Sequence, residues 1–299
     1  MPVNVVWHAQ EDGRGIFNCT AMINDMFDHY DVTHIGGARN FPKDRNGAVI
    51  VVHGGREIGQ VDRLNADLDE LDWALVIFLG DEEASFPIND VQFPERHKIW
   101  IQEPAIPGTH SGLNARYILD GWSHDCHRWI VKDTPKDLDW VFAGQVTHER
   151  RRACVAALQS IDWGGVIVES KGFCQGVSKR EYMELLCRAW IVPCPSGPMA
   201  QDAARPWEAL ECGAIPILDA FSPKRTQLGF WEKVIGTSPI PVISDWEKLP
   251  TMIDTLKRQN LKILGAACQQ WWPLYKFNWL RWLKQDLEEL GCPKVNCRF

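Results

Sequence analysis

The sequence predicts an α/β protein of two similar halves, each a parallel sheet covered by helices on both faces. Three observations carry this expectation. Near-continuous apolar runs alternate with polar segments of helical spacing, the pattern of strands buried on both sides of a sheet. The alternation restarts after a polar, Pro-containing stretch, "VKDTPKDLD" (131–139), which reads as a linker. The length of 299 residues suits two domains of ordinary size. The expected division is 1–137 and 138–299.

In the first half "VNVVWH" reads as a strand and "GIFNCTAMINDMFDHY" as a helix. "GAVIVVHGG" is a strand ending in glycines, and "QVDRLNADLDELDW" has helical spacing. "WALVIFLGDEE" is a buried strand ending in acids, and "HKIWIQEP" is a further short strand. The second half opens on the strand "WVFAGQV", followed by the helix "THERRRACVAALQSI" with Thr147 as its expected N-cap. "GGVIVES", "SKREYMELLCRAW", "IVPCPSG", "DAARPWEALECG" and "AIPILD" continue as strand, helix, strand, helix and strand. "LKILGAACQQWWPLYKFNWLRWLKQDLEEL" supplies terminal helices with aromatic faces.

Composition narrows the classes of function. With 45% hydrophobic and 24% charged residues, the chain can bury a sizeable core. The 15 Trp fit either core anchors or the lining of a ring-binding cleft. No apolar run approaches the ~18 residues of a membrane helix, and the N-terminus lacks the layout of a signal peptide. Ten scattered cysteines in a long chain point to reduced thiols, hence a cytoplasmic protein without a membrane partner. The net charge of −7 is uneven: residues 1–137 carry 12 basic and 22 acidic residues, a balance of −10, and residues 138–299 carry 20 and 17, a balance of +3. The acidic half disfavours general nucleic-acid binding while leaving room for a local basic groove. The basic half suits a small phosphorylated ligand.

Ligands of open α/β sheets bind outside the carboxyl ends of the strands, so strand-to-helix junctions are the places to search. In "FAGQVTHERRR", Gly144 permits close approach of backbone, and the helix start offers free N–H groups to an anion. Arg150 and Arg151 (with Arg152) lie in the first turns, where the helix dipole does not favour cations. They are weighed equally as anion ligands and as a solvated basic face. "CPSGP" leaves another strand through a Pro/Gly turn containing Ser196 and Gly197. Arg205, Glu208 and Glu211 then recur at i, i+3 and i+6, one face of a helix. The alternatives are a surface salt-bridge ladder, or a cation for phosphate beside carboxylates for hydroxyls; the latter is favoured.

The segment "SKREYMELLCRAWIVPCPSGP…ARPWEALECGAIPIL" resembles the nucleotide-sugar-binding half of exostosin-like glycosyltransferases, including the ribitol xylosyltransferase type, most clearly over residues 140–220. Arg205, Trp207, Glu208, Ala209, Leu210, Gly213 and Pro216 fill that pattern, and Pro206 replaces one usual aromatic. The resemblance implies the GT-B arrangement, two Rossmann-like domains facing across a cleft. It also implies a nucleotide-sugar donor, usually a UDP-sugar; the expected acceptor is a glycan or other hydroxyl-bearing molecule, and no cofactor is expected to be required. On that reading Ser196 and Gly197 offer N–H groups to the diphosphate, Arg205 offsets its charge, and Glu208, or next Glu211, holds hydroxyls.

Inverting transfer needs a general base for the acceptor hydroxyl. Asp81 and Glu82, with Glu83, end the apolar "ALVIFLG" strand and are the first choice; His8 and His53 also end strands. The "GDEE" turn is the better of two weak sites for Mg²⁺ or Mn²⁺, ahead of the Asp-x-Asp spacing in "DLDELD" (67–72). "EDGRG" (11–15) is a turn that could reach donor phosphates. The rival readings are a glycoside hydrolase using "GDEE" and Glu103, a nucleotide-sugar-binding module without catalysis, and a viral-type transferase acting on modified DNA bases.

Overall fold

The computed structural model describes residues 3–8, 20–37, 46–54, 57, 59–80, 85–102, 115–172, 175–226 and 228–292. The chain divides into two compact units, 1–120 with 276–299, and 121–275.

The first unit holds one six-stranded sheet: β1 (Val3–Trp7), β2 (Val32–Gly36), β3 (Ala48–His53), β4 (Ala74–Leu79), β5 (His97–Gln102) and β6 (Ala115–Ile118). Its spatial order is β2-β1-β3-β4-β5-β6, with every pair parallel. The apolar runs "AVIVV" and "ALVIFL" make the central β3 and β4, whose side chains are buried on both faces. Helix α1 (Ala21–Phe27) buries Met22, Ile23 and Phe27; α2 (Val61–Asp69) sets Leu64 and Leu68 against Val6, Ile50, Val52 and Val76.

The second unit has a five-stranded parallel sheet of β7 (Leu138–Gln145), β8 (Gly165–Ser170), β9 (Ala189–Cys194), β10 (Ile215–Asp219) and β11 (Val242–Ile243), ordered β11-β10-β9-β7-β8. Helices α3 (Glu149–Gln159), α4 (Lys179–Arg188), α5 (Ala204–Glu211), α6 (Phe230–Val234) and α7 (Leu249–Arg258) accompany it. A capping box opens α4: the Ser178 hydroxyl accepts from the Glu181 N–H, and the Glu181 carboxylate accepts from the Ser178 N–H. Trp207 stacks on Trp272 at 5.4 Å between centroids and meets Trp231 edge-on at 6.0 Å. Trp7, Trp100, Trp207, Trp246 and Trp272 are among the largest fully buried side chains, so these tryptophans are core anchors.

Four expectations change. The terminal helices are one helix, α8 (Leu261–Glu289), which continues through Pro273. The boundary moves from 137/138 to 120/121, and 276–299 belongs to the first unit. There Trp100 Nε1 donates to Asp286 at 2.6 Å, Arg116 grips the same carboxylate with Nε and Nη2 at 3.2 Å, and Lys98 pairs with Glu289 at 2.6 Å. The supposed linker is tied to the surface of the second unit, where Lys136 donates to the Cys212 carbonyl at 2.9 Å and Asp137 pairs with Arg188. Finally, the N-cap of α3 is His148 rather than Thr147, and no side chain caps that terminus.

No helix among the described residues is long and apolar enough to cross a membrane. Seven described cysteines, Cys126, Cys154, Cys187, Cys194, Cys212, Cys268 and Cys292, are free and buried.

Candidate functional site

In the second unit the chain winds from β7 outward to β8, then returns to place β9 on the other side of β7. The carboxyl ends of β7 and β9 therefore flank a topological switch point, where an open sheet leaves a crevice. Gly144 lies at the end of β7, and Pro195, Ser196 and Gly197 follow β9. The sheet order brings together two motifs about fifty residues apart in sequence.

A lattice of hydrogen bonds fixes the loop after β9. The Ser196 N–H donates to Asp219 Oδ2 at 3.2 Å, and its carbonyl accepts from Arg151 Nε at 3.0 Å and His148 Nε2 at 3.1 Å. Asp219, fully buried at the end of β10, also accepts from Trp246 Nε1 at 2.9 Å and from Arg150, whose Nε lies 2.9 and 2.8 Å from its two oxygens. The arginines of α3 thus hold protein groups: Arg150 binds Asp219, Arg151 binds the carbonyls of Ser196 and Gln145, and Arg152 reaches the Thr147 carbonyl. Arg150 and Arg151 are therefore not a solvated basic face. They shape the loop instead.

Arg205 is different. Its guanidinium lies over the Phe142 ring, 5.0 Å from the centroid, and Nε is buried without a hydrogen-bond partner. A Cβ at Gly144 would overlap Arg205 Nη2 and lie 3.3 Å from Cζ. Glycine is what lets the cation rest on the strand end. Ser196 Oγ and His148 Nδ1 are also buried and unpartnered. A bare buried polar atom costs about 1–3 kcal/mol, so buried groups of this kind are normally satisfied by water, an ion or a ligand.

Arg205, Glu208 and Glu211 do not act as one set: Arg205 rests on Phe142, while Glu208 and Glu211 are each bound by separate protein groups. Glu208 is 3% exposed and accepts from Lys179 Nζ at 2.6 Å, Tyr182 Oη at 2.8 Å and the Ser123 hydroxyl and N–H. Burial pushes its carboxyl up, but the Lys179 charge and these hydrogen bonds outweigh burial and hold it below its ordinary range. Burial and the Glu208 charge in turn push the Tyr182 hydroxyl well up. Glu211 accepts from Trp272 Nε1 at 2.6 Å and pairs with His127 at 3.2 Å. Both carboxylates expected to hold hydroxyls are committed inside the fold.

In the first unit His8 follows β1 at the corresponding switch point, between β1 and β3. Its Nδ1 meets Glu57 and its Nε2 meets Asp67 at 3.0 Å. Burial opposes the imidazolium, but the hydrogen bonds and charges of Asp67 and Glu57 prevail and raise its pKa to about 9. Both ring nitrogens are thus engaged by carboxylates of the first unit. Asp67, offered within an Asp-x-Asp spacing, is taken up by this contact. Asp81, Glu82, Glu83, Glu103 and residues 11–15 lie outside the described residues. No cluster of three or more His, Cys, Asp or Glu that could hold a metal occurs among the described residues.

The His8 contacts make a stability prediction. A folded-state pKa raised from 6.5 to about 9 stabilises fully below pH 6.5, and the contribution disappears as pH rises through 9. Urea unfolding should lose on the order of 3 kcal/mol across that window, and His8→Gln should flatten the loss. An equal slope in the variant would contradict the ion pairs.

Sequence reasoning missed Asp219, His148, Lys179 and Tyr182. Asp219 ends the "AIPILD" strand and was the available signal, since an acid closing a buried strand needs partners. The other three gave none, because their partners lie 26 to 48 residues away.

No protein-family model matches the chain, and no curated protein matches it in sequence. Solved structures do match in fold. HepE from Anabaena in complex with UDP and glucose aligns at a TM-score of 0.53 with 10% identity, over 96% of this chain and 99% of that one. The DNA modifying enzyme beta-glucosyltransferase, determined in the presence and absence of uridine diphosphoglucose, aligns at 0.52 with 9% identity, over 97% and 100%. HepE in complex with UDP-glucose aligns at 0.52 with 10% identity, over 98% and 100%. Two parallel doubly wound sheets in one chain, matched over nearly their full length, define the GT-B fold. This chain has that fold, similar to structures that hold UDP, UDP-glucose or glucose.

Proposed function

We propose that the chain is a glycosyltransferase, moving a sugar from a UDP-sugar to a hydroxyl acceptor with inversion at the anomeric carbon. The observation that carries this reading is Arg205, a guanidinium without an anion, seated on Phe142 and Gly144 at the switch point. The fold it shares with UDP-glucose-bound structures supports the identity of the missing anion. The residues that resemble exostosin-like transferases, Arg205, Trp207, Gly213 and Pro216 among them, support a place near that family.

In this reaction the acceptor oxygen attacks the anomeric carbon as its proton passes to a carboxylate, for which Asp81 and Glu82 remain the candidates. The bond from that carbon to the β-phosphate oxygen breaks, and its electron pair leaves with the diphosphate. Arg205 meets that growing charge, with the Gly197 N–H and the Ser196 hydroxyl beside it. The Ser196 N–H, already given to Asp219, holds the loop in place. A second acceptor reading is a hydroxyl on a modified DNA base. The likeness to the DNA modifying beta-glucosyltransferase favours it, and the −10 balance of residues 1–137 opposes it.

Four measurements test the proposal. UDP should raise the melting midpoint, because a ligand that binds the native state stabilises it by mass action. No shift with any nucleoside diphosphate at millimolar concentration would defeat the donor reading, and binding without transfer or donor hydrolysis would leave a binding module. Repeating transfer in EDTA tests independence from divalent cations, and offering glycan and modified DNA separates the acceptors. Gly144→Ala should displace the Arg205 guanidinium and weaken UDP binding by about tenfold, the worth of roughly 1.4 kcal/mol. Unchanged affinity in that variant would detach Arg205 from the ligand.

A further inference from the structure

We propose that His148 determines donor specificity, its Nδ1 accepting a hydrogen bond from a hydroxyl of the nucleotide sugar. The inference rests on the donor reading above and assigns a role to a residue that the reaction does not otherwise use.

The chemistry follows from the partner of the other ring nitrogen. His148 Nε2 lies 3.1 Å from the Ser196 carbonyl. A carbonyl only accepts, so Nε2 carries the hydrogen and the neutral ring presents Nδ1 as a lone pair. His148 is 8% exposed, and Nδ1 is buried without a partner. Burial and the Arg151 charge lower its pKa, against the pull of the Ser196 carbonyl, Glu149 and Asp219, which keeps the ring neutral.

The surrounding groups say what Nδ1 can bind. Arg205 and the start of α3 offer N–H donors, which suit phosphate oxygens. A bare imidazole nitrogen suits the opposite, since an ionised phosphate oxygen and a lone pair repel. Ser196 Oγ, fully buried and also unpartnered, belongs to the residue whose carbonyl fixes the ring. An acceptor within a donor-rich site therefore selects a ligand carrying hydroxyls as well as phosphates. Those hydroxyls come from the ribose or from the transferred sugar.

Titration calorimetry on the full chain distinguishes these sources, with UDP, 2′,3′-dideoxy-UDP and UDP-glucose as probes. His148→Gln keeps a donor for the Ser196 carbonyl and deletes Nδ1; His148→Asn keeps an amide near the Nδ1 position. A ribose contact predicts about five- to tenfold weaker UDP binding by His148→Gln, with no such loss for the dideoxy ligand. A contact to the transferred sugar predicts that loss for UDP-glucose alone. In either case His148→Asn should recover part of it. Equal losses for all three ligands, or none, would overturn the inference and leave His148 as a brace for Ser196 or the ligand of a buried water. Failure of the parental chain to bind any of the three would instead overturn the donor reading itself.

Discussion

Arg205→Ala is expected to lower transfer from a UDP-sugar by about 10²- to 10³-fold while weakening UDP binding by about tenfold or less. The difference arises because negative charge on the departing diphosphate grows as the glycosidic bond breaks. A cation facing it gains more in the transition state than in the ground state. Stability should respond in the opposite sense to a structural arginine. Arg205 lies over Phe142 with its Nε unpartnered, so its removal should leave the urea midpoint unchanged or slightly raised. Arg205→Lys keeps the charge but loses the planar fork that stacks on the ring, and should remain impaired. Full transfer by the Ala variant would remove Arg205 from the chemistry.

Glu208→Ala should behave as the reverse case. The substitution leaves Lys179, Tyr182 and the Ser123 hydroxyl around an empty site in the core of the second unit. Breaking a buried, hydrogen-bonded ion pair from one side typically costs about 3–5 kcal/mol, and urea unfolding should report a loss of that order. Because the folded-state pKa of Glu208 is depressed, its stabilisation is present above pH 4.5 and fades as pH falls through the folded value. The Ala variant should therefore show a flatter acid limb than the parent. A stable Glu208→Ala variant with weakened UDP binding would instead restore the carboxylate to the ligand.

The strands that were legible in the sequence are the ones buried on both faces. The runs in β3, β4, β9 and β10 identify themselves because their side chains, the end residues of β3 and β10 apart, are apolar and buried on both faces. The edge strands β2, "VTHIG", and β6, "ARYI", mix polar and apolar residues and gave no such signal. Composition hid the unit boundary, because what returns 276–289 to the first unit is contact between Asp286 and Trp100 and Arg116, 170 or more residues away. At the site, the glycine, the Pro/Gly loop and Arg205 were readable, since turn chemistry and junction position are local properties. The fates of Arg150, Glu208 and Glu211 were not, because spacing along a helix says which residues share a face and nothing about which neighbours await them. Arg205 and Glu208, three residues apart on α5, look equivalent in sequence and differ entirely in their surroundings.

If Arg205 marks the diphosphate site of a UDP-sugar in the second unit, a crystal structure with UDP will show it. A diphosphate oxygen should lie within about 2.7–3.2 Å of the Arg205 guanidinium, beside Gly144 and the loop at Ser196 and Gly197. UDP bound elsewhere, with Arg205 still over Phe142 and facing no anion, would contradict it.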